Sequence, residues 1–229
     1  MSNLQKRIYT SLILFPLSIF FVLQGGFHLL FFLFIVFLAA NYELFSVFKN
    51  KVIILFLNLV LFLALYSIVH LRNSEIGVFI LTWVIILCVF SDIGGYVVGK
   101  IFKGKKLTTI IPNKTLSGVL GSFIFSLFSI LIMYEIVAEP LYLFLGENYL
   151  AGKLLFLSVI LTPKFFFLSI VFSLIAQIGD LILSCLKRLE RIKDTGKILP
   201  GHGGIFYRID GLMFVIILTF VLSKFDIFI

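Results

Sequence analysis

The sequence predicts an all-α, polytopic integral membrane protein, and three observations carry that prediction. The chain of 229 residues is 61% hydrophobic, with a mean hydropathy of +1.19 and only 13% charged residues. A soluble domain so composed would expose far more apolar surface than water tolerates, so lipid is its solvent. The apolar residues, 29 phenylalanines among them, gather in unbroken runs such as VIILFLNLVLFLALYSIV from Val52 to Val69. A membrane barrel needs segments of about ten residues with alternating polarity, which these runs lack. Helices satisfy their own backbone hydrogen bonds and can therefore cross hydrocarbon.

Taking about 20 apolar residues per crossing, helices are expected near residues 8–23, 28–48, 52–69, 76–98, 116–137, 165–186 and 211–223. The first run, Ile8 to Leu23, has no small-residue cleavage site and leads directly into the second, so it reads as a retained span rather than a signal peptide. The third follows Lys49 and Lys51, and the fourth runs into the glycine-rich stretch SDIGGYVVGK. The fifth begins just past Lys114 and Thr115. The piece from Leu154 to Thr162 is too short to cross alone and ends at Pro163, which makes it an interfacial turn or part of a broken eighth helix. The sixth run carries Gln177 and Asp180 in its interior, and the seventh opens after Asp210. About seven crossings, or eight, thus form one membrane domain over 1–229, with N-terminal helices in 1–75 and the chemically equipped region in 76–229. Cys88 and Cys185 lie in or beside apolar runs and suggest neither a disulfide framework nor a zinc site.

Loops rich in Lys and Arg stay on the cytoplasmic side. With a cytoplasmic N-terminus, that side receives Lys6 and Arg7, Lys49 and Lys51, the cluster from Lys100 to Lys114 and the cluster from Lys187 to Arg208, which is most of the 19 basic residues. Both basic clusters then share one face. A net charge of +8 has a plain explanation in topology and attraction to anionic headgroups, at about 1 kcal/mol per basic residue. No nucleic-acid partner is expected, because no soluble basic face or aromatic single-strand platform is evident in the sequence.

The stretch from Gln177 to Asp210, QIGDLILSCLKRLERIKDTGKILPGHGGIFYRID, departs from what a plain span requires. On a helix, Gln177, Asp180, Ser184, Lys187 and Arg191 recur at spacings of three and four and form one polar stripe. A charge inside a membrane helix costs about 2.5–3.5 kcal/mol on insertion scales, so Asp180 needs compensation, either by a metal ion or by a Lys or Arg of another helix. Downstream, Lys187, Arg188, Arg191, Lys193 and Lys197 crowd a short segment that enters PGHGG, where Pro200 stops the helix. Gly201, Gly203 and Gly204 let backbone N–H groups approach a phosphate. His202 can hydrogen-bond phosphate or orient a carboxylate. Asp210 either caps the last helix or faces Asp180 and shares a metal with it. A second constellation has Asp92 and Tyr96 one turn apart, Gly95 and Gly99 as helix-contact residues, and Lys114 with Thr115 in PNKT as a charge and a hydroxyl for a phosphate. The spacing is not that of a Walker A loop.

The run SCLKRLERIKDTGKILPGHGGIFYRID resembles the signature of the phosphatidate cytidylyltransferase (CDP-diacylglycerol synthase) family, through Ser184, Leu186, Lys187, Arg188, Lys193, Asp194, Gly196, Pro200, Gly201, His202, Gly203, Gly204, Arg208 and Asp210. SDIGGYVVGK and PNKT resemble the family's upstream pattern, in the right order. Tyr207 departs from it: the family usually has an aspartate directly before the arginine of the closing motif, and a phenol is a poor substitute for a metal-binding carboxylate. The resemblance implies transfer of the cytidylyl group of CTP to phosphatidate, giving CDP-diacylglycerol and pyrophosphate. It implies Mg²⁺, one or two divalent ions with a monovalent cation as an option, held by Asp180 and Asp210. Catalytic roles fall to Asp180, Lys187, Arg188, Asp194, Arg208 and Asp210. Substrate contacts fall to Asp92, Lys114, Thr115, Ser184, Lys193, Gly201, His202, Gly203 and Gly204. The expected partners are CTP, phosphatidate and membrane lipid, with a homodimer left open. The expected place is the bacterial inner (cytoplasmic) membrane, with the site on its cytoplasmic side. The alternatives are a CTP-dependent lipid kinase of the dolichol kinase type, or a catalytically impaired family member acting as a membrane scaffold or transporter.

Overall fold

The structure, a computed structural model, describes residues 3–74, 76–107, 114–146, 150–192 and 204–228, with the side chains of residues 3–11, 136–138, 144 and 207 outside the description. Among those residues it consists of α1 (Asn3–Gln24), α2 (Gly26–Val47), α3 (Lys51–Arg72), α4 (Gly77–Phe102), α5 (Leu116–Ile132), α6 (Ala138–Leu145), α7 (Leu150–Ile160), α8 (Pro163–Leu189) and α9 (Phe206–Ser223). Five of them, α2, α3, α4, α5 continued to Glu135, and α8, are long and apolar enough to cross a membrane. With 22 and 18 residues, α1 and α9 are about 33 and 27 Å long, which matches the hydrocarbon thickness as well. The all-α, polytopic expectation describes this bundle, with five spans among the described residues meeting the length and apolarity of a crossing where about seven were expected, and α6 and α7 lie between α5 and α8 in the chain.

Most helices run a few residues beyond their expected bounds, and three differences bear on the architecture. The fifth run does not continue as one helix to 137, since a π-helical segment, Met133–Val137, separates α5 from α6. The short piece before Pro163 is a helix in its own right, α7. Thr162 is extended, as a residue before proline tends to be, and Pro163 occupies the first turn of α8, where its missing N–H costs nothing. The last helix starts at Phe206 rather than 211, because its first turn is capped from elsewhere in the molecule, as described below.

At the centre lies α4. Some 72% of its most apolar window is buried, against 22–39% for the other four spans, so α4 is sheathed by protein while the others leave most of their apolar windows exposed. Trp83 anchors it, with ring centroids 5.0 Å from Phe165 and 5.6 Å from Phe172. Its indole N–H donates to Ser129 Oγ at 3.2 Å, the partner that a buried Trp requires. Close to the basic end, α4 and α5 touch backbone to backbone. A Cβ on Gly94 would lie 2.4 Å from the Gly121 carbonyl oxygen, and one on Gly99 would lie 3.0 Å from Thr115 Oγ1. Gly95 and Gly99 therefore serve the helix-contact role that their spacing suggested. Buried hydroxyls tie the same region together, with Ser91 Oγ 2.7 Å from Ser173 Oγ and Ser122 Oγ donating to the Ser91 carbonyl at 2.8 Å.

Candidate active site

Three carboxylates from three helices, Asp92, Asp180 and Asp210, lie within electrostatic reach of one another at the basic end of the bundle. Asp180 of α8 pairs with Lys114, Oδ2 to Nζ 2.6 Å, and Ser184 Oγ lies 3.3 Å from its Oδ1. Of the two compensations open to a membrane-embedded acid, the structure thus shows the lysine. Lys114 is presented by a pinched loop: the Leu107 N–H donates to the Lys114 carbonyl at 2.8 Å and the Leu116 N–H to the Lys105 carbonyl at 2.9 Å. Thr115 closes this arrangement as the N-cap of α5, its Oγ1 accepting from the Gly118 N–H at 3.1 Å and lying 3.0 Å from Ser117 Oγ. Its hydroxyl accordingly has a structural use whichever ligand binds.

Asp210, in the second turn of α9, is buried, and its Oδ1 accepts from the Gly211 N–H at 2.7 Å. What brings Asp210 to Asp180 is a glycine crossing. Gly179 precedes Asp180, Gly211 follows Asp210, and the two glycines abut: a Cβ on Gly179 would lie 3.2 Å from Gly211 Cα, and one on Gly211 would lie 2.7 Å from the Ala176 carbonyl oxygen. Helices with no side chain at the contact approach closely, and the two acids are the chain neighbours of the two contact glycines. Asp210 lies within Coulombic reach of Asp180, Asp92 and Lys187. Asp92 of α4 in turn feels Asp180, Lys114 and Arg208. Lys187 is only 5% exposed. A buried ammonium needs an anionic neighbour, and Asp210 supplies one.

The remaining candidates divide in two. Arg188 is exposed in the last turn of α8, and Gly204 is buried immediately ahead of α9. Lys193, Asp194, Gly201, His202 and Gly203 lie outside the described residues, as does the side chain of Tyr207. The polar stripe of α8 is shorter than expected: it holds Gln177, Asp180, Ser184 and Lys187, while Arg191 lies beyond the helix with φ 58°. There the chain turns through a left-handed residue, with the Ile192 N–H donating to the Lys187 carbonyl at 2.8 Å and the Arg191 N–H to the Arg188 carbonyl at 3.0 Å. That is a Schellman ending, built on arginine instead of the usual glycine.

Among the described residues, no group of three or more His, Cys, Asp or Glu side chains is arranged to hold a metal ion by itself. The donor set nevertheless suits Mg²⁺, which commonly uses one or two carboxylates and completes its shell with water and substrate phosphate. Asp180 and Asp210 repel one another across the site, and a divalent cation relieves such repulsion.

Sequence reasoning missed Glu43. This residue of α2 is 1% exposed, and its two oxygens accept from the Ile205 N–H at 2.7 Å and the Phe206 N–H at 2.9 Å. The available signal was a carboxylate inside an apolar run, which by itself asks for a partner.

Comparison with known proteins gives one family and a consistent set of relatives. The model of the Cytidylyltransferase family matches residues 47–226. The chain is similar to the phosphatidate cytidylyltransferase of Helicobacter pylori, 35% identical over 141 residues, which is 62% of this chain and 46% of that protein. It is similar to the phosphatidate cytidylyltransferase of Staphylococcus saprophyticus, 38% identical over 133 residues, 58% of this chain and 44% of that protein. That of Bacillus subtilis is 38% identical over 151 residues, 64% of this chain and 49% of that protein. The chain spans about half the length of the curated relatives it matches. Asp92, Lys114, Asp180, Lys187, Arg208 and Asp210 all fall inside the family match, whereas Glu43 precedes it.

Proposed function

The chain belongs to the Cytidylyltransferase family, and from that premise we propose that it transfers the cytidylyl group of CTP to phosphatidate, releasing pyrophosphate and CDP-diacylglycerol. The strongest support is the meeting of Asp92, Asp180 and Asp210 with Lys114, Lys187 and Arg208 at one end of a membrane bundle. Asp210 and Lys187 are buried, while Asp92, Lys114, Asp180 and Arg208 keep exposed surface that a lipid headgroup or nucleotide can reach.

The reaction asks little covalent chemistry of the protein. A phosphate oxygen of phosphatidate attacks the α-phosphorus of CTP, and the bond from that phosphorus to the oxygen bridging to the β-phosphate breaks. No strong general base is required, because the nucleophile is already an anion. Catalysis is therefore positioning plus neutralisation of charge. Asp180 and Asp210 would hold Mg²⁺, which supplies Lewis-acid stabilisation of phosphoryl oxygens when bound. Lys187, buried beside Asp210, offers a fixed positive charge in low dielectric, where it acts more strongly than in water. Arg208 adds a planar cation suited to bidentate phosphate contact. Lys114 holds the charge of Asp180 until substrate arrives and then serves the phosphates. Residues 76–229 are the catalytic region on this reading, and the site faces the cytoplasm of a bacterial inner membrane, where the basic loops remain.

The test uses the full chain in lipid vesicles that contain phosphatidate, with CTP labelled on its α-phosphate and Mg²⁺. Label appearing in CDP-diacylglycerol, with one pyrophosphate per lipid product, is the expected result. Unlabelled phosphorylated lipid with free CDP would replace this proposal by a lipid kinase, and no transfer of either kind would remove it.

A further inference from the structure

We propose that Glu43 is a positioning residue for the reaction: from α2 it fixes the turn that presents Arg208 and Asp210 to the substrates. This inference rests on the cytidylyl-transfer function proposed above. It begins from an unmet need of α9. The first N–H groups of any helix lack intrahelical acceptors, and Ile205, at the N-cap position of α9, provides no side-chain cap. Glu43 fills the gap from 162 residues away, one oxygen on the Ile205 N–H at 2.7 Å and the other on the Phe206 N–H at 2.9 Å. A carboxylate suits the positive end of a helix, and both of its oxygens are used.

The anchor is rigid on both sides. Glu43 is 1% exposed, and Ala40 and Leu44, on either side of it in α2, share one buried cluster with Phe206, Leu183 and Met213. Arg208 and Asp210 follow Phe206 by two and four residues in the same helix, and the Arg208 N–H donates back to the Ile205 carbonyl at 2.8 Å. The direction in which both side chains leave α9 is therefore set by the turn that Glu43 holds. A second tie lies nearby, where the Asn50 N–H donates to Glu190 Oε1 at 2.9 Å. The start of α9 is thus fastened to the last turns of α2, and the end of α8 to the turn that follows α2.

The experiment compares the native chain with Glu43→Gln, Glu43→Asp and Glu43→Ala in the vesicle assay, together with hydrogen exchange of a peptide covering residues 204–210. Glu43→Gln keeps the volume and one acceptor but faces the second N–H with an amide donor. The expected result is a kcat about tenfold or more below native, with KM for CTP and phosphatidate within threefold. Faster exchange confined to 204–210, and partial recovery by Glu43→Asp, complete it. A general structural role would instead lower folded yield and speed exchange throughout, with kcat per folded molecule kept. Either that pattern or a native kcat in Glu43→Gln overturns the inference. If Glu43→Ala does not accumulate, Glu43→Gln alone decides between the two outcomes. A native chain that transfers nothing refutes the proposed function instead, and exchange at 204–210 then judges the anchor alone: unchanged protection in Glu43→Gln removes it.

Discussion

Replacing Gly211 by alanine tests the geometry of the site without touching a charged group. The new Cβ would sit 2.7 Å from the Ala176 carbonyl oxygen, a backbone atom that cannot rotate away, while ordinary contact begins near 3.4 Å. The helices α8 and α9 must therefore part by roughly 0.7 Å, and displacements near 1 Å in an active site cost about 10²-fold in rate. Overpacking costs about 1–3 kcal/mol, and the higher helix propensity of alanine returns about 1 kcal/mol, for a net loss of about 0–2 kcal/mol. Gly211→Ala should thus accumulate as folded protein while its kcat falls about 30- to 100-fold in the vesicle assay. Gly179→Ala is the internal comparison. Its nearest obstacle is the Phe214 ring, Cδ2 at 2.6 Å, which can swing aside, and its backbone contacts are 3.1 Å or longer. The loss there should be smaller. Native turnover in Gly211→Ala, or a larger loss in Gly179→Ala, would refute the idea that this crossing aligns Asp180 with Asp210.

Asp180→Asn keeps the shape of the carboxylate and removes its charge, so turnover should drop more than about 10²-fold at any Mg²⁺ concentration; measurable native-level transfer would take Asp180 out of the centre. Lys114→Met frees Asp180 from its counter-charge at 2.6 Å, so the Mg²⁺ concentration giving half-maximal rate should fall while kcat also falls, both read from one metal titration. Thr115→Val deletes the acceptor for the Gly118 N–H and should cost about 1 kcal/mol, a shift of about 2–4 °C in apparent Tm. KM for CTP should stay within threefold in that variant, and a tenfold rise would put the hydroxyl on a phosphate instead.

Much of this molecule can be read from its residues in order, because membrane spans and intramembrane charges are local signals. Asp180 stands out in an apolar run, and PGHGG with the basic residues before it marks the end proposed to carry the chemistry. The partner of Asp180 was less legible. Metal and lysine were both claimants from sequence, and only the loop pinched by Leu107 and Leu116 brings Lys114 to it. Gly179 and Gly211 were visible as letters, yet a glycine declares a close contact only when the facing backbone is known. Glu43 was hidden for the opposite reason: its signal is local, but its meaning lies 162 residues away. The early start of α9 follows from the same bond, since no cap near Ile205 announces a helix there. Arg191 broke the stripe of α8 because a left-handed ending without glycine leaves little trace in composition.

The enclosure of α4 bears on how the protein is made. Synthesis proceeds from the N-terminus, so α4 enters the bilayer before α8 and α9 exist, with Ser91, which the finished protein buries, and Asp92, which stays exposed, both still without their later neighbours. The mean hydropathy of its most apolar window, 2.2, must offset the cost of that acid in the helix, which reaches about 2.5–3.5 kcal/mol at mid-membrane. Relief comes first from α5, the next segment to emerge, which brings Lys114 at its head and zips against Gly94 through Gly121. In that order of synthesis the contact between Gly94 and Gly121 is available to α4 before any contact with α8 or α9.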